Sequence, residues 1–236
     1  MSLQEHYAQK YAVEEGRPAR IREYPRDRKE AVAKLAAGGT GRLLEVGAGS
    51  GDVLLAVAKT YTEVVATEFT PARAARLREL GFTVVEGAIE GDLPYGPRSF
   101  DTIILNDVVE HLLEPFDVLR YLRELLAPEG RLILHTPNVA YVKFRAQALW
   151  GRAPATSTYD EGLLDWHRRP TTALDDGHLH YFTWRSLTRV LTERAGFSSV
   201  EWHPYGHGRP ARYALYCRLA ERLPTLLSDC CVVAHP

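Results

Sequence analysis

A chain of 236 residues with 45% hydrophobic and 25% charged content has the make-up of an ordinary globular protein and is long enough to bury a substantial core. Its 29 basic residues against 30 acidic ones leave a net charge of -1, so no overall field favours nucleic acid or an anionic membrane. Cys217, Cys230 and Cys231 lack metal-ligand spacing, and no apolar run approaches the ~20 residues that span a bilayer, so a cytoplasmic monomer or homodimer with free thiols is expected. The opening carries no charged-then-apolar leader. Helical periodicity over 5–13 and 27–37, broken by Gly16, Pro18 and Pro25, predicts a helical cap over 1–38, either solvated or folded as a lid.

From Gly41 short apolar strands alternate with amphipathic helices, which predicts a parallel sheet covered on both faces. The first strand, Leu43 to Val46, runs into Gly47, Gly49 and Gly51 in strict alternation, with Glu45 two residues before the first glycine. Residues without a Cβ let the backbone turn sharply and lie against a ligand, and the next helix turns its free N–H groups to the same place. A dinucleotide fingerprint needs a glycine where this chain has Asp52, and an acid there repels a pyrophosphate. S-adenosylmethionine has no phosphate. Its sulfonium, ammonium and ribose diol suit Glu45 and Asp52.

A second strand, Thr62 to Glu68, ends in an acid placed to accept both ribose hydroxyls, with Phe69 beside the adenine. A third runs from Phe82 into the loop Gly87-Ala88-Ile89-Glu90. A fourth, Phe100 to Leu105, leads into Asn106-Asp107-Val108-Val109-Glu110-His111, and a fifth spans Gly130 to Thr136. Helices are predicted at about 51–59, 71–80 and 115–127, the second opening with Pro71 at its first turn. Gly47, Glu68, Ala88, Asn106 and Thr136 then all lie at strand carboxyl ends, where open sheets bind ligands.

The E-x-G-x-G-x-G loop after a strand, the acid of Glu68 and the F-D-x-I-I-x-x-x-x-x-E-H run resemble the class I S-adenosylmethionine-dependent methyltransferases over about residues 41–136. The resemblance implies a Rossmann-like α/β fold with a seven-stranded sheet. It also implies a cofactor site of Glu45, Gly47, Ala48, Gly49, Gly51, Glu68, Phe69, Gly87, Ala88, Ile89, Asn106 and Asp107, with S-adenosylhomocysteine as product. Many relatives carry an Asp where this chain has Ala88, so the adenine amino group falls to Glu90 or to backbone groups at Ala88 and Ile89.

Residues 138–182 are too long and aromatic for a simple crossover and read as an acceptor-side insertion, with a helix near 139–150. Tyr141, Trp150, Trp166, Tyr181 and Trp184 suit core packing or an acceptor wall, and Arg145, Arg168 and Arg169 an acidic acceptor. Thr183 can cap a helix with Leu187, Val190 and Leu191 inside, and Phe197–Tyr205 and Leu227–Ala234 read as closing strands. One domain results: cap, core over 39–137, insertion, and a closing segment over 183–236.

Methyl transfer from a sulfonium is an in-line displacement, so the protein chiefly aligns the reactants and relieves the acceptor of a proton. Asp107, Glu110 and His111 share a face if their segment is helical, and three readings stay open: a general base at His111 oriented by an acid, a divalent-metal site, or a structural brace. The metal reading draws on a resemblance to ubiquinone-biosynthesis O-methyltransferases, which show acid-x-x-Glu-His here. His178 and His180 alternate on an extended segment and, with His135, are expected to line the acceptor pocket. The G-L-L-D, H-L-H-Y-F-T and A-G-F runs are similar to bacterial methyltransferases of glycan and secondary-metabolite pathways, which implies a small-molecule hydroxyl acceptor. A second resemblance, through Thr136-Pro137-Asn138, is to MetW-like methionine-biosynthesis proteins and implies action through a partner.

Overall fold

A computed structural model describes residues 16–23, 25–89, 93–151, 178–206 and 213–236. The predicted 5–13 helix, Tyr24, Glu90, Trp166, Arg168 and Arg169 lie outside the described residues. Seven strands form one sheet: β1 Arg42–Val46, β2 Glu63–Glu68, β3 Thr83–Glu86, β4 Phe100–Asn106, β5 Leu126–Thr136, β6 Ser199–Trp202 and β7 Cys230–His235. Their order is β3-β2-β1-β4-β5-β7-β6, with β7 antiparallel to both of its neighbours. This is the Rossmann-like class I methyltransferase sheet.

Period-two alternation explains the layering. Leu44, Val46, Ile103, Leu105, Leu132 and Leu134 fill one face, and Leu43, Ala66, Ile104 and Ile133 the other, so the central strands read as unbroken apolar runs. Each such buried side chain contributes ~1.5–3 kcal/mol of transfer free energy. Helices α1 Arg28–Ala36, α2 Asp52–Val57 and α3 Pro71–Glu79 supply Val32, Ala33, Val53, Leu54 and Leu77 to the second face. Helix α4 Pro115–Leu125 and the helix α5 Val142–Leu149 follow; α6 Trp184–Arg189 continues into a π-turn over Val190–Arg194. Val118, Leu119, Leu122, Trp184, Leu187 and Leu191 pack on the first face.

The helix starts behave as their sequences require. Asp27 accepts the N–H of Glu30 ahead of α1, and Thr183 and Ser186 form a reciprocal capping box on α6. Two short helices not expected from the sequence, α7 Tyr213–Arg222 and α8 Pro224–Leu227, join β6 to β7. Strand β5 begins earlier than read, because Leu126 already pairs with Phe100 and the Pro128-Glu129-Gly130 turn is absorbed as a register irregularity before Arg131 meets Thr102.

The insertion is closed at its base. Asn138 and Phe182 form a parallel bridge, and Val139 N–H donates to the Phe182 carbonyl at 2.9 Å. The fully buried Asn138 side chain donates to the carbonyls of Thr225 and Ser228 and accepts from Ala140 N–H, tying the insertion to the α8–β7 link. Among the described residues no helix is long and apolar enough to cross a membrane.

Candidate active site

The glycine loop is built as its spacing requires. Gly47, Gly49 and Gly51 have φ of 66°, 55° and 76°, left-handed values that a side chain strains. A Cβ at Gly49 meets no protein atom nearer than Arg73 Nη1 at 3.6 Å, so this glycine borders open space, whereas one at Gly47 collides with Val108 Cγ2 at 2.7 Å. Strand β2 braces the loop from below. Thr67 accepts Gly47 N–H through Oγ1 and Ala48 N–H through its carbonyl, and Glu68 accepts Gly49 N–H at 2.9 Å and Thr70 N–H at 2.8 Å, one on each carboxylate oxygen.

The remaining cofactor candidates gather at the same sheet edge. Phe69 is half-buried after Glu68, Gly87 N–H donates to the Glu68 carbonyl at 3.1 Å, and Ala88 is exposed beside buried Ile89. Asn106 ends β4 with its side-chain oxygen buried and without a hydrogen-bond partner among the described residues. Glu45 is buried as well, Oε2 equally unpartnered, and burial pushes its carboxyl up to about 8. A cationic, hydroxyl-rich cofactor fits such a set: acids without enough cations, orphaned polar atoms, and a cradle that a Cβ at Gly49 would fill.

The N-terminal segment crosses this loop. Ala19 N–H donates to the Asp52 carbonyl at 2.8 Å, Arg17 N–H to Asp52 Oδ1 at 2.6 Å, and Lys29 pairs with the other carboxylate oxygen. Sequence reasoning missed Lys29, Arg28 and Arg73, because basic residues at helix starts look like ordinary solvated charge.

At the acceptor edge the structure differs from expectation. Asp107, Glu110 and His111 do not share a helical face, since only Val109–His111 forms a 3-10 turn and Asp107 sits before it at φ 55°. Asp107 turns inward. Its carboxylate accepts from His135 Nδ1 at 2.6 Å and pairs with Arg28; burial alone would raise it, but the contacts with His135 and Arg28 outweigh burial and hold it below the usual carboxylate range. His135, expected to line the acceptor pocket, is 1% exposed and its Nε2 lies 2.8 Å from the Tyr205 hydroxyl. An imidazole bonded at both nitrogens inside the core does not face a ligand. Trp184 is likewise core, stacked on Trp202 at 4.9 Å, while Tyr181 and Trp150 stay exposed.

What converges instead is Glu110, His111 and His178, each with a ligand atom within 4.8 Å of the others. The returning end of the insertion makes this contact: Leu179 and His180 N–H groups both donate to the Glu110 carbonyl, which lays His178 against His111 with ring centroids 4.7 Å apart. His180 follows with its ring centroid 6.4 Å from that of Phe182. Glu110 is 2% exposed, Oε2 accepts from Thr136 at 2.9 Å, and Oε1 has no partner among the described residues. Burial, reinforced by Asp107, raises its carboxyl well above the normal range. Two oxygen or nitrogen chemistries suit the trio: relay of a proton, or mixed coordination of a divalent cation.

Comparison with known proteins places this geometry in context. Residues 15–201 match the family model described as a methyltransferase domain. A ubiquinone biosynthesis O-methyltransferase of Xanthomonas euvesicatoria pv. vesicatoria is 28% identical over 168 residues, covering 63% of this chain and 70% of that protein. A probable non-canonical nonribosomal peptide synthetase, CymA of Salinispora arenicola, is 35% identical over 129 residues, half of this chain but 2% of that protein. An S-adenosylmethionine-dependent methyltransferase structure from Mesorhizobium loti superposes with a TM-score of 0.60 at 16% identity, covering 89% of this chain and 98% of that one, which shows the shared fold.

Proposed function

The chain belongs to the methyltransferase-domain family within the class I S-adenosylmethionine-dependent methyltransferases, and on that premise we propose that it methylates a hydroxyl oxygen of a small molecule such as a phenol, a sugar or a secondary metabolite. The observation that carries the oxygen reading is the imidazole pair His111–His178 beside buried Glu110 at the carboxyl end of β4. The name of the Xanthomonas relative points the same way.

When bound, S-adenosylmethionine supplies a methyl carbon already activated by a positive sulfur. Glu68, fixed by two backbone N–H groups, keeps a lone pair on each oxygen for the ribose hydroxyls. Phe69 and the Gly87-Ala88-Ile89 turn would flank the adenine, Arg73 would hold the carboxylate of the amino-acid tail, and Glu45 and Asp52 would balance its ammonium. His111 accepts the proton of the acceptor hydroxyl, steered by His178, and Asn106 orients donor against acceptor. Asp107 serves these groups indirectly, holding the end of β4 in place.

A second reading of the trio is coordination of a divalent cation, favoured by the orphaned Oε1 of Glu110 and by ligand atoms of Glu110, His111 and His178 that lie within 4.8 Å of one another. Residues Glu110, His111 and His178 would hold the ion, which would lower the acceptor hydroxyl's pKa. Turnover with phenolic, catechol and sugar panels in the presence and absence of a chelator separates the two. Activity lost to chelator and restored by one metal selects coordination; activity indifferent to chelator but falling at least 100-fold in His111→Ala, with cofactor affinity unchanged, selects the base. Gly49→Val should weaken cofactor binding by more than 100-fold, and retained micromolar affinity would remove the site assignment.

A further inference from the structure

Glu45 is a buried acid of the donor hollow with no ion-pair partner among the described residues. It is the penultimate residue of β1, two residues before Gly47, is 3% exposed, and its Oε2 accepts from no described group. The charged groups facing it come from three elements: Lys29 of α1, Asp52 of α2 and Glu68 of β2. Lys29 is already committed to Asp52 by a direct ion pair, and Glu68 is satisfied by the N–H groups of Gly49 and Thr70. A carboxylate shut away from water beside two other acids has one inexpensive remedy, which is to hold a proton.

We propose that Glu45 is a proton-exchanging residue of the donor site, protonated while the hollow lacks a bound cation and releasing its proton to solvent when the ammonium group of the cofactor's amino-acid tail enters. The proposal rests on the S-adenosylmethionine reading and deepens it. The O–H bond of the Glu45 carboxyl breaks, the proton passes to buffer, and the resulting carboxylate neutralises the arriving ammonium, so charge balances. Selectivity follows: a ligand with the same nucleoside and no charged tail leaves Glu45 protonated. The burial-driven position of this carboxyl near 8 agrees with a neutral group at physiological pH; Lys29 opposes that rise, and Asp52 and Glu68 add to it.

The sign of the linkage is fixed. A bound cation makes Glu45 a stronger acid, so affinity must rise with pH up to about 8 and level off above it. Isothermal titration of the full chain with S-adenosylhomocysteine, which carries the ammonium, tests this at pH 6, 7 and 8 in buffers of different ionisation heat. The expected result is release of close to one proton at pH 7 and about tenfold tighter binding per pH unit below 8. Methylthioadenosine, which lacks the tail, should show neither effect. Glu45→Gln should bind with a flat pH profile and no proton release, and Lys29→Met should extend the release to higher pH.

Wild-type binding of equal strength at pH 6 and 8 without buffer-dependent heat would overturn the proposal, as would proton release that persists in Glu45→Gln. These wild-type and methylthioadenosine measurements suffice if a variant fails to fold. Absence of any binding by S-adenosylhomocysteine at all three pH values removes the cofactor reading itself, whereas binding without proton exchange removes only the role given to Glu45.

Discussion

Glu45 carries a stability signature even when no cofactor is added. Folding raises its carboxyl from about 4.3 to about 8, so between those values the folded chain holds a proton that the unfolded chain has lost. Wild-type stability therefore falls as pH climbs from 4 to 8. Glu45→Gln removes that slope, and thermal unfolding should show a gain on the order of 3 kcal/mol at pH 8, roughly 6–12 °C for a chain of this size, with no gain at pH 4. Equal melting shifts at both pH values would mean that the carboxyl is charged in the folded protein. The glycines, Glu45 and Glu68 were legible in the sequence because backbone chemistry leaves few other reasons for that spacing. Lys29 was not, since its partner Asp52 lies 23 residues away and only the packing of α1 on α2 brings the two together.

The connection between β4 and α4 shows where reading by element went astray. A helical face was expected for Asp107, Glu110 and His111, yet only a single 3-10 turn fits between the end of β4 and Pro115. Proline restricts the residue before it, and Glu114 accordingly leaves helical geometry at φ -121°, ψ 70°. Asp107 is free to turn the other way and join a chain of contacts running from exposed Arg28 through Asp107 to buried His135 and Tyr205, which links α1, the end of β4, β5 and the segment after β6. His135→Phe would leave the Asp107 carboxylate and the Tyr205 hydroxyl short of a partner inside the protein. The expected cost is ~3 kcal/mol, a melting drop of roughly 6–12 °C. An unchanged melting temperature would show that the chain of contacts bears no load.

For the whole molecule, the first five strands and the helices between them could be read from alternation alone, because buried parallel strands have little freedom in composition. The segment between β6 and β7 could not. Helix α7 buries the small residues Cys217 and Ala220 and turns the larger Leu215 and Leu219 outward, so its most apolar side chains do not mark the packed face. The acceptor trio was half visible: Glu110-His111 stood out as a pair, whereas His178 follows His111 by 67 positions and meets it only through the Asn138–Phe182 bridge.

Strand β7 also governs how the chain can be born. Among the described residues Ser199–Trp202 has no ladder neighbour except Cys230–His235, and the same six residues cover the outer edge of β5. During synthesis that edge stays bare while 203–229 leave the ribosome, an adhesive row of amides waiting for its cover. Pauses in translation across this stretch would lengthen the exposure and favour aggregates, and a nascent chain stalled just short of Cys230 would be a substrate for chaperones.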